Sequence, residues 1–433
     1  MKILVVATQL PPFNGSSNIR ILNYINQLSN RGHDIDVLTV EYPKDSIAYD
    51  SNLENVFRND INLYRVAPGV LYKLFYQRKS SSNGYISNSK KSFKNKIKKT
   101  LGKIIKSYFL IPDSFVQWIY PAYKKGKDLM NKSKYDLILS IHETPSSHLV
   151  ALKLKKEFAD IKWTAYWSDP WNGDPVHRLK QPRVKKIIEE RLEKEVVRNV
   201  DRFLFTTQKT IDYYSEKYTI PKEKFDIVYR GYDYASYKEI SNNSYPPKKF
   251  NEDKINIVHV GTIYKSLRDV RPLYDAIKKM ELQNKEANDK FNFIFVGQFD
   301  SEDDEKLLKS LKSVEVIPFV PYKEALNYIV QADVLLLYGN KESTQVPGKA
   351  YEYLGSKASI FTILGDNLDE LKHLMVKANK GPIIINDAGL IYDELLSFYQ
   401  LFTHNSIPKE WTQIQEDFRW EKVGEDLENK LFI

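Results

Sequence analysis

The chain has 433 residues, of which 42 % are hydrophobic and 13 % aromatic, which is enough for two cores rather than one. It has no cysteine, which excludes disulfides, thiolate metal sites and cysteine nucleophiles. No apolar run reaches the roughly 18 residues of a membrane span, and the opening run Met1–Ala7, which meets Pro11-Pro12, reads as a first strand rather than a leader. The net charge of +9 is uneven. Asn62 to Pro112 holds twelve Lys or Arg and no Asp or Glu, and taking those twelve away leaves the remainder at −3.

In chain order, Lys2–Thr8 reads as a strand, followed by a turn with Gly15 and Ser16, a helix patterned by Ile19, Leu22, Ile25 and Leu28, and a strand Asp34–Val40. This is a mononucleotide-binding start without the three-glycine fingerprint of a nicotinamide cofactor, or it is a plain connection with no ligand. In the basic stretch, Phe93, Ile97, Leu101, Ile104, Ile105 and Tyr108 fall on one helical stripe, with Lys94, Lys98, Lys99, Lys103 and Lys106 on the other faces. Phe115, Trp118, Ile119 and Tyr120 follow. A lysine-faced amphipathic helix with adjacent aromatics reads as an anionic membrane surface binder, with a solvated helix or a nucleic-acid patch as the rivals.

Strands Tyr135–Ile141 and Ile161–Tyr166 end at polar clusters containing His142 and Asp169-Pro170-Trp171, where α/β sheets place their ligands. Arg183–Asn199 reads as a charged helix, and strands follow at Arg202–Thr206 and Phe225–Tyr229. Ser236–Lys254, rich in Ser, Asn, Pro and Lys, is the best linker candidate, dividing a first domain (1–240) from a second (255–409). The second half restarts with strands Ile255–Val260, Phe291–Val296 and Val314–Ile317 alternating with helices, again a doubly wound pattern. Gly261 is followed by Lys265 and Arg268. Trp411–Leu431 is a closing helical stretch.

The stretch Val346-Pro347-Gly348-Lys349-Ala350-Tyr351-Glu352-Tyr353-Leu354-Gly355 follows a buried strand, Asp333–Tyr338. Pro347 stands at a helix start and Gly355 at a C-cap. Lys349 and Glu352 share a face, the cation suited to a phosphate and the carboxylate to a ribose diol. Read alone, the pair is more economically an ordinary solvated one on an amphipathic helix.

This stretch, with Ser359-Ile360-Phe361 after it, resembles the nucleotide-sugar motif of GT-B glycosyltransferases, closest to the retaining family 4 that builds bacterial surface polysaccharides and glycolipids. The resemblance implies two doubly wound Rossmann-like domains facing a cleft, with the last segment (410–433) crossing back onto the first. It implies a donor site built from Gly15, Ser16, Gly261, Lys265, Arg268, Lys349 and Glu352. The family's first motif glutamate falls on Thr344, with Glu342 two residues ahead, and a base pocket falls near Phe319–Tyr322. It implies catalytic roles for His142, Lys349 and Arg268, and acceptor contacts from Asp169 and Trp171. No cofactor or metal is expected, only a nucleotide-diphosphate sugar as donor substrate and a glycan or lipid-linked acceptor. The expected location is cytoplasmic, peripheral on the inner face of the cell membrane. An epimerase of nucleotide sugars on the same fold, and a non-catalytic membrane or nucleic-acid binder, are the alternatives.

Overall fold

The computed structural model describes residues 1–15, 17–76, 110–172, 181–243 and 245–432. The chain forms two compact units: Met1–Val228 with Gly424–Ile433, and Tyr229–Val423.

The first unit holds strands β1 (Lys2–Ala7), β2 (Asp34–Val40), β3 (Asn62–Val66), β4 (Leu137–His142), β5 (Lys162–Trp167), β6 (Arg202–Phe205) and β7 (Phe225–Ile227). They form one parallel sheet in the order β3-β2-β1-β4-β5-β6-β7. The second unit holds β8 (Ile255–Val260), β9 (Phe291–Val296), β10 (Val314–Ile317), β11 (Val334–Tyr338), β12 (Ser359–Leu364) and β13 (Ile383–Ile385), in the order β10-β9-β8-β11-β12-β13. All pairs are parallel here too. Strands of such sheets are covered on both faces, so they read as unbroken apolar runs such as Ile-Leu-Val-Val in β1. Alternate residues of one strand serve opposite cores. In the second unit Val258 and Val260 join one cluster, while Ile255 and Ile257 join the other.

The order reverses between β1 and β4 and again between β8 and β11. At such a switch point the loops leave the sheet on opposite faces and open a crevice at the C-terminal strand ends.

Two expectations are corrected. Ser236–Lys254 is not a linker: the division falls at Val228–Tyr229, and Tyr234–Asn243 is a helix whose Tyr237 and Ile240 are buried in the second unit. The aromatics placed beside the lysine-rich stretch do not face a lipid surface together. Phe115, Trp118 and Ile119 lie in the first unit's core, and only Tyr120 is exposed. Gly355 stands at the C-cap of its helix, as expected, with a φ of −80°. It supplies space, since a Cβ there would stand 2.5 Å from the Tyr232 ring. Lys94, Lys98, Lys99, Lys103, Lys106 and Ser16 lie outside the described residues.

Candidate donor and acceptor sites

In the second unit the loops after β8 and β11 carry the charged cluster. The short helix Gly348–Leu354 follows the β11 loop. Lys349 Nζ lies 2.7 Å from Glu352 Oε2, and Arg230 approaches Oε1 of the same carboxylate at 3.7 Å. Glu352 is 5 % exposed, so this is not the solvated pair that the residues alone would favour. A carboxylate removed from water needs compensating cations, and here it has two. Gly348 permits this, since a Cβ there would stand 2.5 Å from an Arg230 guanidinium nitrogen. Tyr322 faces Lys349, with the ammonium 6.0 Å from the ring centre, while Phe319 is largely exposed.

At the β8 end, Gly261 (φ +142°) and Gly297 (φ +139°) pack backbone against backbone. A Cβ on Gly297 would stand 2.2 Å from the Gly261 carbonyl oxygen. Arg268 is fixed by bonds from its guanidinium to Asn340 Oδ1 (3.2 Å) and to the Thr262 carbonyl (2.7 Å). Burial holds its pKa below the ordinary arginine value. His259 is buried beside this loop. Its Nδ1–H donates to the Leu336 carbonyl (3.0 Å), and its Nε2 has no hydrogen-bond partner among the described residues. Burial, with Arg268 and Lys349 adding to it, pushes its pKa down to about 3, so the ring is neutral.

Lys265 is not brought into this group. Its ammonium is engaged by Asp304 (3.4 Å) and Ser301 (3.4 Å) at the start of the helix Glu302–Lys309. Thr344 is half-buried in the β11 loop, and Glu342 is exposed in a left-handed conformation.

In the first unit the matching crevice lies at the ends of β1, β4 and β5. His142 is 7 % exposed, and neither ring nitrogen has a partner among the described residues. It stacks on His148 (5.3 Å between ring centres) and lies near Trp167 (6.3 Å) and Trp171 (6.2 Å). Burial pushes its pKa down to about 4, against a smaller upward pull from Glu193. Next to it Glu143 pairs with Arg20, and burial raises the Glu143 pKa, with Arg20 opposing and Asp169 reinforcing. The structure therefore brings His142, Asp169 and Trp171 into one neighbourhood, with Arg20 and Glu143 as members that the sequence reading missed. Gly15 sits in the β1 loop, where a Cβ would stand 2.4 Å from the Phe13 ring.

The Trp171-Asn172 turn is clamped from beneath. Glu193 is fully buried and accepts from Asn172 Nδ2 (3.0 Å), Tyr214 Oη (2.7 Å), Lys217 Nζ (2.7 Å) and Tyr218 Oη (2.5 Å). Tyr214 Oη in turn accepts from the Trp171 backbone N–H (3.1 Å). A cavity of about 480 Å³ opens at the ends of β2 and β3, walled by Glu41, Tyr42, Tyr49, Glu54, Arg65 and Lys73.

With this geometry in hand, comparison with known proteins is informative. Residues 85–236 match the model of the family described as Glycosyltransferase Family 4. The chain has the GT-B fold, and over those residues it is similar to this family. The matched residues lie outside Val346–Gly355. Solved structures agree on the fold. A glycosyltransferase from Rickettsia africae shares 11 % identity over 99 % of this chain and 98 % of its own, with a TM-score of 0.62. Alr3699/HepE from Anabaena, solved in complex with UDP, shares 11 % identity over 100 % and 99 %, with a TM-score of 0.60. A UDP-GlcNAc 2-epimerase from Neisseria meningitidis, bound to UDP-GlcNAc, shares 14 % identity over 100 % and 99 %, with a TM-score of 0.55. No curated protein matches the sequence at the significance required.

Arg230 and His259 are the residues of the second unit's cluster that sequence reading missed. Arg230 follows a predicted strand directly and precedes Gly231, which is the one local signal it gave. His259 lay inside an apolar strand and gave none.

Proposed function

We propose that the protein transfers a sugar from a nucleotide-diphosphate sugar to a hydroxyl of a polysaccharide or lipid-linked acceptor, with retention and without a metal, at the inner membrane surface. The observation that carries this is the Lys349–Glu352–Arg230 cluster beside Arg268, at the crevice where the second sheet reverses. A diphosphate carries charge that three cations offset, and those cations are held in place before substrate arrives. Glu352 would accept from the ribose hydroxyls. Lys349, Arg268 and Arg230 would stabilise the charge on the leaving diphosphate. On the first unit, neutral His142 would hydrogen-bond the donor sugar. Asp169 would bind an acceptor hydroxyl, with Trp171 against a sugar or isoprenoid face.

The test is a thermal-shift panel of nucleotide diphosphates and nucleotide sugars, followed by product analysis with and without a lipid-linked acceptor. Stabilisation by UDP or UDP-sugars and acceptor-dependent glycoside formation are expected. Conversion of the donor without any acceptor would assign the epimerase activity instead, and an absence of nucleotide binding would remove both readings.

A further inference from the structure

The helix Arg183–Asn199 buries two glutamates beside Val196 and Val197 and leaves three branched aliphatics exposed. At 100° per residue its inward arc carries Glu189 (4 % exposed) and Glu193 (0 %), while Val184 (54 %), Ile187 (50 %) and Ile188 (36 %) face outward. Ordinary amphipathic packing puts the carboxylates out and the branched aliphatics in. The inward acids are accounted for. Glu193 forms the clamp under Trp171-Asn172, and Glu189 pairs with Lys185 (3.5 Å). Nothing within the described residues accounts for the outward aliphatics.

The same outer stripe continues as Arg191, Lys194 and Arg198, all exposed, with exposed Arg183 at its start. Glu195 also lies on this arc and is paired with Lys156 (2.5 Å), and Glu190 stands at its margin, partly buried with a partner of its own. The stripe is therefore apolar for two turns and cationic for the next two, over a helix about 25 Å long. Lys185 also reaches the carbonyls of Leu110 (3.5 Å) and Pro112 (3.2 Å), which places the helix beside the point where the chain leaves the lysine-rich stretch.

We infer that this stripe is a membrane-docking surface, with Val184, Ile187 and Ile188 entering the headgroup boundary of an anionic bilayer and Arg191, Lys194 and Arg198 meeting its lipid phosphates. Aliphatics in line with cations fit a lipid interface, where the apolar groups leave water and each cation lies near an anionic headgroup. This rests on the membrane-surface part of the proposed function and gives it a definite face. It is independent of the donor site.

The experiment is flotation of the full-length protein with phosphatidylglycerol-containing and pure phosphatidylcholine vesicles, at low and high salt. Wild type is expected to float with the anionic vesicles, less so at high salt. Arg191→Gln/Lys194→Gln/Arg198→Gln is expected to weaken partitioning on the order of 100-fold, since each cation contributes about 1 kcal/mol. Val184→Ser/Ile187→Ser/Ile188→Ser is expected to abolish flotation while keeping the wild-type thermal shift with UDP, which shows that it folds. Wild type that ignores anionic vesicles overturns the inference. So does an aliphatic triple variant that floats as well as wild type, or one that turns a wild-type dimer into a monomer in sedimentation. Loss of the UDP response in wild type would instead refute the donor reading and leave the flotation result to stand.

Discussion

Replacing Lys349 by Met removes one cation and keeps the side-chain volume. In the free protein Lys349 is about a third exposed and pairs with Glu352 at 2.7 Å, which retains Arg230 at 3.7 Å. The loss of stability without ligand is therefore small, about 1 kcal/mol, because solvent screens the pair and a second cation remains. The effect on nucleotide binding is larger. A charge-assisted hydrogen bond to phosphate is worth about 1.5–3 kcal/mol, which is roughly 10- to 100-fold in Kd. UDP at 100 times the wild-type Kd stabilises the protein by about 2.7 kcal/mol, and a 100-fold loss of affinity cuts that to about 0.4 kcal/mol. For a unit of this size each kcal/mol is about 2–4 °C, so the UDP-induced rise in Tm should fall from about 5–11 °C to about 1 °C. Differential scanning fluorimetry with a UDP titration measures both quantities. A Lys349→Met variant that keeps the full UDP response would refute the assignment of this cluster to the diphosphate.

His142 carries a pH signature. It is neutral when folded down to about pH 4 but titrates near its ordinary value of 6.5 when unfolded. Protons then bind the unfolded state first, so stability present above pH 6.5 is lost as pH falls to about 4. At pH 5 the loss from this ring is about 2 kcal/mol, and urea melts at pH 7 and 5 should show Asn at position 142 escaping it. Gly297→Ala should destabilise the second unit by more than about 3 kcal/mol, because the added methyl meets the Gly261 carbonyl at a positive φ. A urea midpoint close to wild type would contradict that packing. Glu193→Ala leaves Lys217, Asn172 and two tyrosine hydroxyls without their buried acceptor. It should cost about 3–5 kcal/mol, and a loss below 1 kcal/mol by chemical denaturation would show that the clamp carries little.

The sheet strands were legible where buried parallel pairing makes them continuously apolar, as in β8, β9 and β11. β3, with its polar Asn-Leu-Tyr-Arg-Val run, and the three-residue β13 gave too little pattern. Lys349 and Glu352 were legible because helical spacing alone brings them together. Arg230 was not, since its partner lies more than a hundred residues away, and only the fold lays it over Gly348. Lys265 misled for the reciprocal reason. A cation after a glycine turn looks like a phosphate ligand until Asp304 is seen beside it. The unit boundary was misplaced because composition marked a polar stretch, while Tyr237 and Ile240 decide that the segment packs. The helix Arg183–Asn199 reads as charged residue by residue, but that its inward arc takes Glu193 as well as Val196 and Val197 depends on the Asn172 turn that Glu193 supports.

His259 has one further consequence. With its Nδ1 proton committed to Leu336, the imidazole leaves a buried Nε2 lone pair without a proton, under the influence of Arg268 and Lys349. Such a ring repels an ionised phosphoryl oxygen and welcomes a hydroxyl proton. Were a diphosphate held by Lys349 and Arg268, its charged oxygens would be kept off this nitrogen, a discrimination that neither cation, attracting any anion alike, is able to provide.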